Sequence, residues 1–213
     1  MAFKEDVQIL FAKILENKNH ITNEEATKHS MIIPFIQVLG YDIFNPLEVR
    51  PEYIAAFGKK KDSKLDYAIF QEDKPIIFIE AKSITEDLDN HDTQLKMYFN
   101  TTPEVKVAIL TNGLIYKFFT DLKDPNVMDS TPFFELNIEK INDSDIELLQ
   151  IFRKDSFEVN SIITTAKKLV YMDNIKSVLK ELFKNPSDEF IKLIVKDFID
   201  KKITSTVIGE VKP

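Results

Sequence analysis

The chain has 213 residues, a net charge of −7 and no cysteine. This length is sufficient for one domain with a buried core and a smaller additional part. The absence of cysteine excludes disulfides, thiolate zinc sites and cysteine nucleophiles, and it fits the reducing cytoplasm in which we expect the protein. The negative charge argues against a general binder of polyanions. No apolar run has the length of a membrane-spanning helix, and the N-terminus does not resemble a signal peptide.

The N-terminal part of the chain is predicted to be helical. Apolar residues recur at helical spacing in residues 3–17 and again in residues 32–39, where Pro34 predicts a kink and Gly40 a stop. Between these segments, Thr22-Asn23-Glu24-Glu25 resembles a capping box. Residues 47–53 follow as an edge or irregular strand, because Pro51 removes a hydrogen-bond donor from it.

The next segment is predicted to be a hairpin of two apolar strands. Residues 65–70 and 75–82 are joined by the polar stretch Gln71-Glu72-Asp73-Lys74. The second strand is mostly apolar on both faces, which is typical of a strand buried on both sides. Placing Glu80 and Lys82 at its end is costly unless they are paired or bind something.

The remainder of the chain completes an α/β pattern. We predict a helix over residues 86–99, and then two strands, 105–110 and 114–120, around the turn Thr111-Asn112-Gly113. A further short strand and three helical segments follow, near residues 133–136, 146–152, 158–183 and 190–199. The predicted fold is α/β, with a central mixed β-sheet flanked by helices and a helical C-terminal part. The predicted domains are residues 1–140 and a helical extension, residues 141–213; whether the chain is part of a longer protein stays open.

Charged residues at the ends of the hairpin strands are the candidate site. Two carboxylates, Asp66 and Glu80, together with Lys82, have the chemistry to hold a divalent metal and activate a water for phosphodiester cleavage. The alternative is a surface hairpin with charged ends, which the bare pattern favours. The following helix places Gln94 and Tyr98 four residues apart on one face; the alternative for this pair is an ordinary amphipathic surface.

Positive charge is concentrated immediately before the first hairpin strand. Lys59, Lys60, Lys61 and Lys64 are candidates for contacts with the phosphates of a nucleic acid, and the alternative is a solvated loop. The three histidines have no metal-ligand spacing, so we interpret them as structural or solvated. No glycine-rich phosphate-binding loop is present, so the sequence contains no ATPase motor.

These features together resemble a known family. The order of the elements, Asp66, the sequence Glu80-Ala81-Lys82 and the Gln-x-x-x-Tyr helix resemble the PD-(D/E)xK nuclease superfamily, and more closely the N-terminal nuclease domain of type I restriction enzyme R subunits. The resemblance covers roughly residues 20 to 140 and includes the stretches 23–28, 39–42, 64–69 and 109–113. Leu65 departs from the pattern, since it stands where the superfamily's name has a proline.

The resemblance implies a role for each matched residue. Asp66 and Glu80 would bind Mg²⁺, with Mn²⁺ as a substitute and the Ala81 carbonyl as a further ligand. Lys82 would orient or deprotonate the attacking water and offset charge on the phosphate. Gln94, together with Tyr98, would brace the metal-bound water or the phosphate of the nucleic acid. An acid from the helix near residue 23 would complete the site; Glu24 and Glu25 compete for this role, and we prefer Glu25.

The implied function is a Mg²⁺-dependent DNA endonuclease of restriction-modification or phage-defence type. Its expected partners are DNA and other restriction-system subunits, and a homodimer is plausible because a double-strand break usually needs two active sites. One alternative is a catalytically inactive module that binds nucleic acid or a partner subunit. Another is a nuclease that acts on RNA or DNA ends in repair. The sequence does not distinguish endonuclease from exonuclease, and it gives no recognition sequence.

Overall fold

A six-stranded mixed sheet forms the centre of the protein, as seen in a computed structural model that describes residues 3–54, 64–89, 91–197 and 208–209. The strands follow one another across the sheet in chain order, and their bounds are β1 Val49–Tyr53, β2 Leu65–Gln71, β3 Lys74–Ala81, β4 Val107–Thr111, β5 Ile115–Phe119 and β6 Phe134–Asn137. Only β3 and β4 pair in parallel; the other neighbours are antiparallel. The predicted α/β fold class is therefore confirmed.

Along the chain, helices precede the sheet, form the β3–β4 crossover and follow the last strand. Their bounds are α1 Phe3–Asn17, α2 Glu24–Thr27, α3 Ile33–Val38, α4 Thr93–Thr101, α5 Asp143–Leu149, α6 Val159–Lys184 and α7 Asp188–Val195. A π-helical turn, Lys28–Ile32, connects α2 to α3, and 3-10 turns follow α1 and α5 at Lys18–His20 and Gln150–Phe152. No helix in the described ranges combines the length and apolarity needed to cross a membrane.

Helix α4 packs on one face of the sheet and the N-terminal helices on the other. Leu95 and Phe99 of α4 are fully buried with Ala108 of β4 in one apolar cluster. On the other side, the rings of Phe35 and Tyr116 lie 4.3 Å apart, centroid to centroid. Apolar contacts on both faces explain why β3 and β4 are almost continuously apolar.

Two local predictions are wrong in detail. The helix α4 begins at Thr93 rather than at residue 86, because side chains in the preceding segment bond to the backbone: the Asp89 amide donates to Asp87 Oδ1, which competes with helical hydrogen bonding. The helix α2 is capped by Asn23, whose side chain accepts from the Ala26 amide, so the cap lies one residue later than a box from Thr22 to Glu25 requires. The edge strand with Pro51 and the turn after β4 are confirmed.

The chain divides into two compact units, Met1–Lys167 and Lys168–Pro213. Every described residue of the candidate site lies in the first unit. In the second unit, Ile191, Val195 and Ile208 form a small buried cluster. The predicted domain boundary at residue 140 stays a prediction.

Candidate active site

The beginning of β2 lies beside the end of β3, and this arrangement brings three of the predicted residues together. The Ala81 amide donates to Asp66 Oδ2 at 2.7 Å, which ties the Asp66 carboxylate to the neighbouring strand. Lys82 Nζ lies 2.7 Å from Glu80 Oε1, and the Glu80 side chain is only 5% exposed. The antiparallel pairing of β2 with β3 thus places Asp66, Glu80 and Lys82 at one end of the hairpin.

Gln94 reaches this site from the first turn of α4. Its Nε2 donates to the Lys64 carbonyl at 2.5 Å and to Glu80 Oε2 at 3.3 Å. Both oxygens of Glu80 therefore have a donor, Lys82 on one side and Gln94 on the other. Gln94 also connects the beginning of β2 to the end of β3, so its position depends on the hairpin as well as on its own helix.

A lysine that the sequence analysis did not single out completes the cluster. Lys28 Nζ lies 2.5 Å from Asp66 Oδ1, 2.6 Å from Glu24 Oε1 and 3.2 Å from Glu25 Oε1. The spacing of Glu24 and Lys28, four residues apart on a helix, was the available sequence signal. Its connection to Asp66 depends on how the helix packs at the end of the sheet, which no local pattern reveals.

Burial and neighbouring charge shift the proton affinities of this cluster. Burial raises the pKa of Glu80 to about 7; the hydrogen bond from Lys82 lowers it in part, and the negative charges of Asp66 and Glu24 raise it again. Burial lowers the pKa of Lys82, but the hydrogen bond and charge of Glu80 outweigh it, so the pKa is raised. The same balance, with Asp66 and Glu24 as partners, raises the pKa of Lys28.

The two candidate helix acids are placed differently. Glu25 is the more exposed: its side chain is 74% exposed, compared with 39% for Glu24. The charge of Glu24 acts on both Glu80 and Lys82, whereas Glu25 contacts Lys28 and lines a cavity beside Asp66. This placement favours Glu24 as the acid nearest to Glu80, and the preference for Glu25 stays a prediction without support from the geometry.

A cavity of about 360 Å³ opens beside Asp66. Lys28, Tyr67 and Glu52 are among its lining residues, and Glu52 is held by Lys64 at 2.9 Å. Glu52 has a φ of 49°, which is unusual for a non-glycine residue within a strand. Pro51 and Glu52 of β1 thus line the same cavity as Asp66.

The structure describes only some of the residues that the sequence predicts to contact nucleic acid. Lys64 is half-exposed next to the site, whereas Lys59, Lys60 and Lys61 lie outside the described residues. Tyr98 is buried and packs edge-to-face on Phe78, with ring centroids 6.3 Å apart. This position gives Tyr98 a packing role and does not support a contact with nucleic acid.

The donor chemistry of the cluster suits magnesium, although the carboxylates are held by lysines. Two lysines contact four carboxylates, so the cluster has two formal negative charges in excess. One divalent cation would neutralise them. All the candidate ligand atoms are oxygens, which Mg²⁺ prefers. Within the described ranges, however, no three His, Cys, Asp or Glu side chains form a ready set of metal ligands. The Ala81 carbonyl as a ligand stays a prediction, since the contact with Asp66 is made by its amide.

Fold and site together define an α/β domain with a partly buried carboxylate–lysine site at one end of a mixed sheet. Residues 54–127 match the family model described as type I restriction enzyme R protein N terminus. The match spans less than half of the chain, and it confirms the resemblance predicted from the sequence. It contains Asp66, Glu80, Lys82 and Gln94 but leaves out α2 and the π-helical turn after it, which carry Glu24 and Lys28. Neither the curated proteins nor the solved structures compared with this chain include a match.

Proposed function

We propose that this protein is a Mg²⁺-dependent DNA endonuclease that hydrolyses phosphodiester bonds in a restriction-modification or phage-defence system. The observation that carries the proposal is the convergence of Asp66, Glu80 and Lys82 at one end of the β2–β3 hairpin. The match to the R-protein N terminus supports the restriction context, and with it DNA and other restriction subunits as partners.

Each side chain has a distinct task in this proposal. Asp66 and Glu80 would hold the magnesium ion, which when bound polarises the phosphate and acidifies a coordinated water. The raised pKa of Lys82 keeps its ammonium charged at neutral pH, which favours a role in stabilising negative charge on the phosphate over removing a proton. Gln94 positions Glu80 by donating to its second oxygen.

The experiment is a cleavage assay on circular and linear DNA with Mg²⁺ or Mn²⁺. Lys82→Ala is expected to lower the cleavage rate at least about 100-fold while thermal unfolding shows that the fold is retained, since one preorganised charged group typically contributes this much. Lys106→Ala is the matched control. Lys106 also pairs with a carboxylate at 2.7 Å, and the side-chain exposures are 22% and 5%, close to the 18% and 5% of the Lys82–Glu80 pair.

The control variant is expected to cleave like the wild-type protein. Absence of cleavage of any DNA form by the wild-type protein, or equal cleavage by Lys82→Ala, would refute the proposal.

A second candidate function is a non-catalytic module that binds a partner subunit. The observation that favours it is the apolar surface of α6, on which Tyr171, Ile175, Val178 and Phe183 are each more than half exposed. Calorimetric titration of Mn²⁺ into the wild-type protein and Asp66→Asn separates the two functions. Binding that disappears in the variant supports the nuclease, and absence of binding in both, together with capture of a restriction subunit, supports the module.

A further inference from the structure

The ammonium of Lys28 lies among three carboxylates at the centre of the acidic cluster. It contacts Asp66 at 2.5 Å, Glu24 at 2.6 Å and Glu25 at 3.2 Å, and its side chain is only 12% exposed. A lysine ammonium has three N–H donors, and here each has a carboxylate partner. The three carboxylates therefore hold the Lys28 ammonium much as they would hold a bound cation. A typical surface lysine, by contrast, contacts one carboxylate and is otherwise surrounded by water.

The backbone that carries Lys28 is fixed to the segment that follows β3. The hydroxyl of the preceding residue, Thr27, donates to the Asn23 carbonyl at 2.9 Å and accepts from the Ile84 amide at 3.0 Å. Thr27 is fully buried. This anchor places the Lys28 side chain beside Asp66, so the ion pair follows from the packing of the helix and does not depend on a flexible surface contact.

The ammonium binds the oxygen of Asp66 that the Ala81 amide leaves open. Asp66 Oδ2 already accepts from the Ala81 amide, and Lys28 binds the other oxygen, Oδ1. A magnesium ion binds carboxylate oxygens at about 2.0–2.1 Å, so an ion on Asp66 Oδ1 would lie within a few ångströms of the ammonium. Two positive charges at that separation repel strongly in a partly buried site.

We propose that Lys28 is a resident cation of this site, whose ammonium occupies Asp66 in the metal-free protein and is displaced when a divalent ion binds. The inference rests on the proposed function, because it takes Asp66 as a metal ligand. Lys28 thereby sets the metal affinity: the ion gains the oxygen of Asp66 only at the cost of the three contacts of the ammonium. Lys82, by contrast, contacts Glu80 in the same cluster and leaves Asp66 to Lys28.

The test is calorimetric titration of Mn²⁺ alone into the full chain and its variants. Lys28→Met is expected to bind Mn²⁺ roughly tenfold more tightly than the wild-type protein, because the competing charge is removed and the oxygens of Asp66 stay in place. Lys106→Met, in which a comparable ion pair with Asp121 is lost away from the site, is expected to bind as the wild type does. Asp66→Asn is expected to abolish binding in every background.

A second measurement does not depend on activity or on heat of binding. Without metal, Lys28→Met leaves three carboxylates without their cation, so its melting temperature is expected to fall, and Mn²⁺ is expected to raise it by more than it raises the wild-type value. Should Lys28→Met not fold, Lys28→Gln, which keeps a hydrogen-bond donor at this position, provides the same comparison.

The outcomes separate the inference from the proposed function. If the wild-type protein binds Mn²⁺ through Asp66 and Lys28→Met binds no more tightly, the inference is overturned and the metal site stands. If neither protein binds Mn²⁺, both are overturned. Tight binding that appears only when Lys28 is replaced is the strongest support for a resident cation.

Discussion

At the scale of single residues, Glu80 is the position where burial and charge conflict most directly. Its side chain is buried, and the negative charges of Asp66 and Glu24 oppose its ionisation. One hydrogen bond from Lys82 compensates only in part, so the pKa rises from 4.5 to about 7. A carboxylate with this proton affinity makes the stability of the metal-free protein depend on pH.

The sign of that dependence follows from linkage between protonation and folding. Because the pKa of Glu80 is higher in the folded state, its protonated form contributes stability that is fully present below about pH 4.5 and is lost as the pH rises through about 7. A difference of one in pKa corresponds to about 1.4 kcal/mol, so the loss amounts to roughly 3–4 kcal/mol. Glu80→Gln is expected to remove this loss and to be more stable than the wild-type protein at pH 8.

Urea denaturation from pH 4.5 to pH 8 in the presence of a chelator measures this difference. Glu139→Gln serves as a control for the loss of one carboxylate, since Glu139 forms an exposed ion pair with Lys18. A constant difference between Glu80→Gln and the wild-type protein across the whole range would contradict the prediction.

The residues of the site were predictable to different degrees. Asp66, Glu80 and Lys82 were identifiable because charged residues stand out at the ends of apolar strands. Lys28 was not, because its partner Asp66 lies 38 positions further along the chain and meets it only after the helix has packed on the sheet. The choice between Glu24 and Glu25 is sensitive to where the helix begins, because one residue turns a helix by about 100° and the cap is Asn23 rather than Thr22.

At the scale of elements, the turn between β4 and β5 packs closely on a buried side chain of the N-terminal helices. Gly113 has a φ of 82°, and a Cβ atom added there would lie 2.6 Å from the Met31 sulfur. Met31 is fully buried, so it has little room to move. Gly113→Ala is expected to lower the free energy of unfolding by roughly 2–4 kcal/mol, since it combines a left-handed backbone with overpacking.

Two further glycines of the described residues, Gly40 and Gly209, provide the matched series for this prediction. Gly40 shares the positive φ, but an added Cβ would meet the Lys154 Cβ at an ordinary 3.7 Å, so Gly40→Ala is expected to cost only about 1 kcal/mol. Gly209 has nothing within 4 Å, and Gly209→Ala is expected to have little effect. Urea denaturation of the three variants checks this order, and an equal loss at Gly40 and Gly113 would show that packing against Met31 is unimportant.

The elements themselves were largely predictable, with one informative exception. The strands β2 to β5 follow from apolar runs and from the turn signal at residues 111–113, because these patterns are local. The segment before α4 was wrongly predicted to be helical, although its Asp, Asn and His residues have weak helix propensity. Its actual structure depends partly on a distant contact: the Asn112 side chain donates to the Glu86 carbonyl at 2.9 Å, and no pattern within residues 86–92 encodes that bond.

At the scale of the whole molecule, two boundaries compete for the end of the domain that carries the site. The sequence predicts a boundary at residue 140, where strands give way to helices, whereas contacts divide the chain at Lys167. Phe152 distinguishes the two possibilities. Its ring stacks on Phe118 of β5 at 4.6 Å, and its carbonyl accepts from the Tyr41 hydroxyl at 3.1 Å. A chain that ends at residue 140 loses both contacts and exposes the face of β5 that Phe152 covers.

Two truncated chains therefore provide the last prediction. Residues 1–167 are expected to unfold cooperatively with a melting temperature near that of the full chain, because this piece keeps Phe152 and the buried Ile162 and Ala166 of α6. Residues 1–140 are expected to melt at much lower temperature or to aggregate, since removing a buried phenylalanine contact alone typically costs about 3–5 kcal/mol. Thermal unfolding followed by circular dichroism compares the three chains. Equal stability of residues 1–140 and 1–167 would favour the boundary at residue 140 and would mean that α5 and Phe152 contribute little to the core.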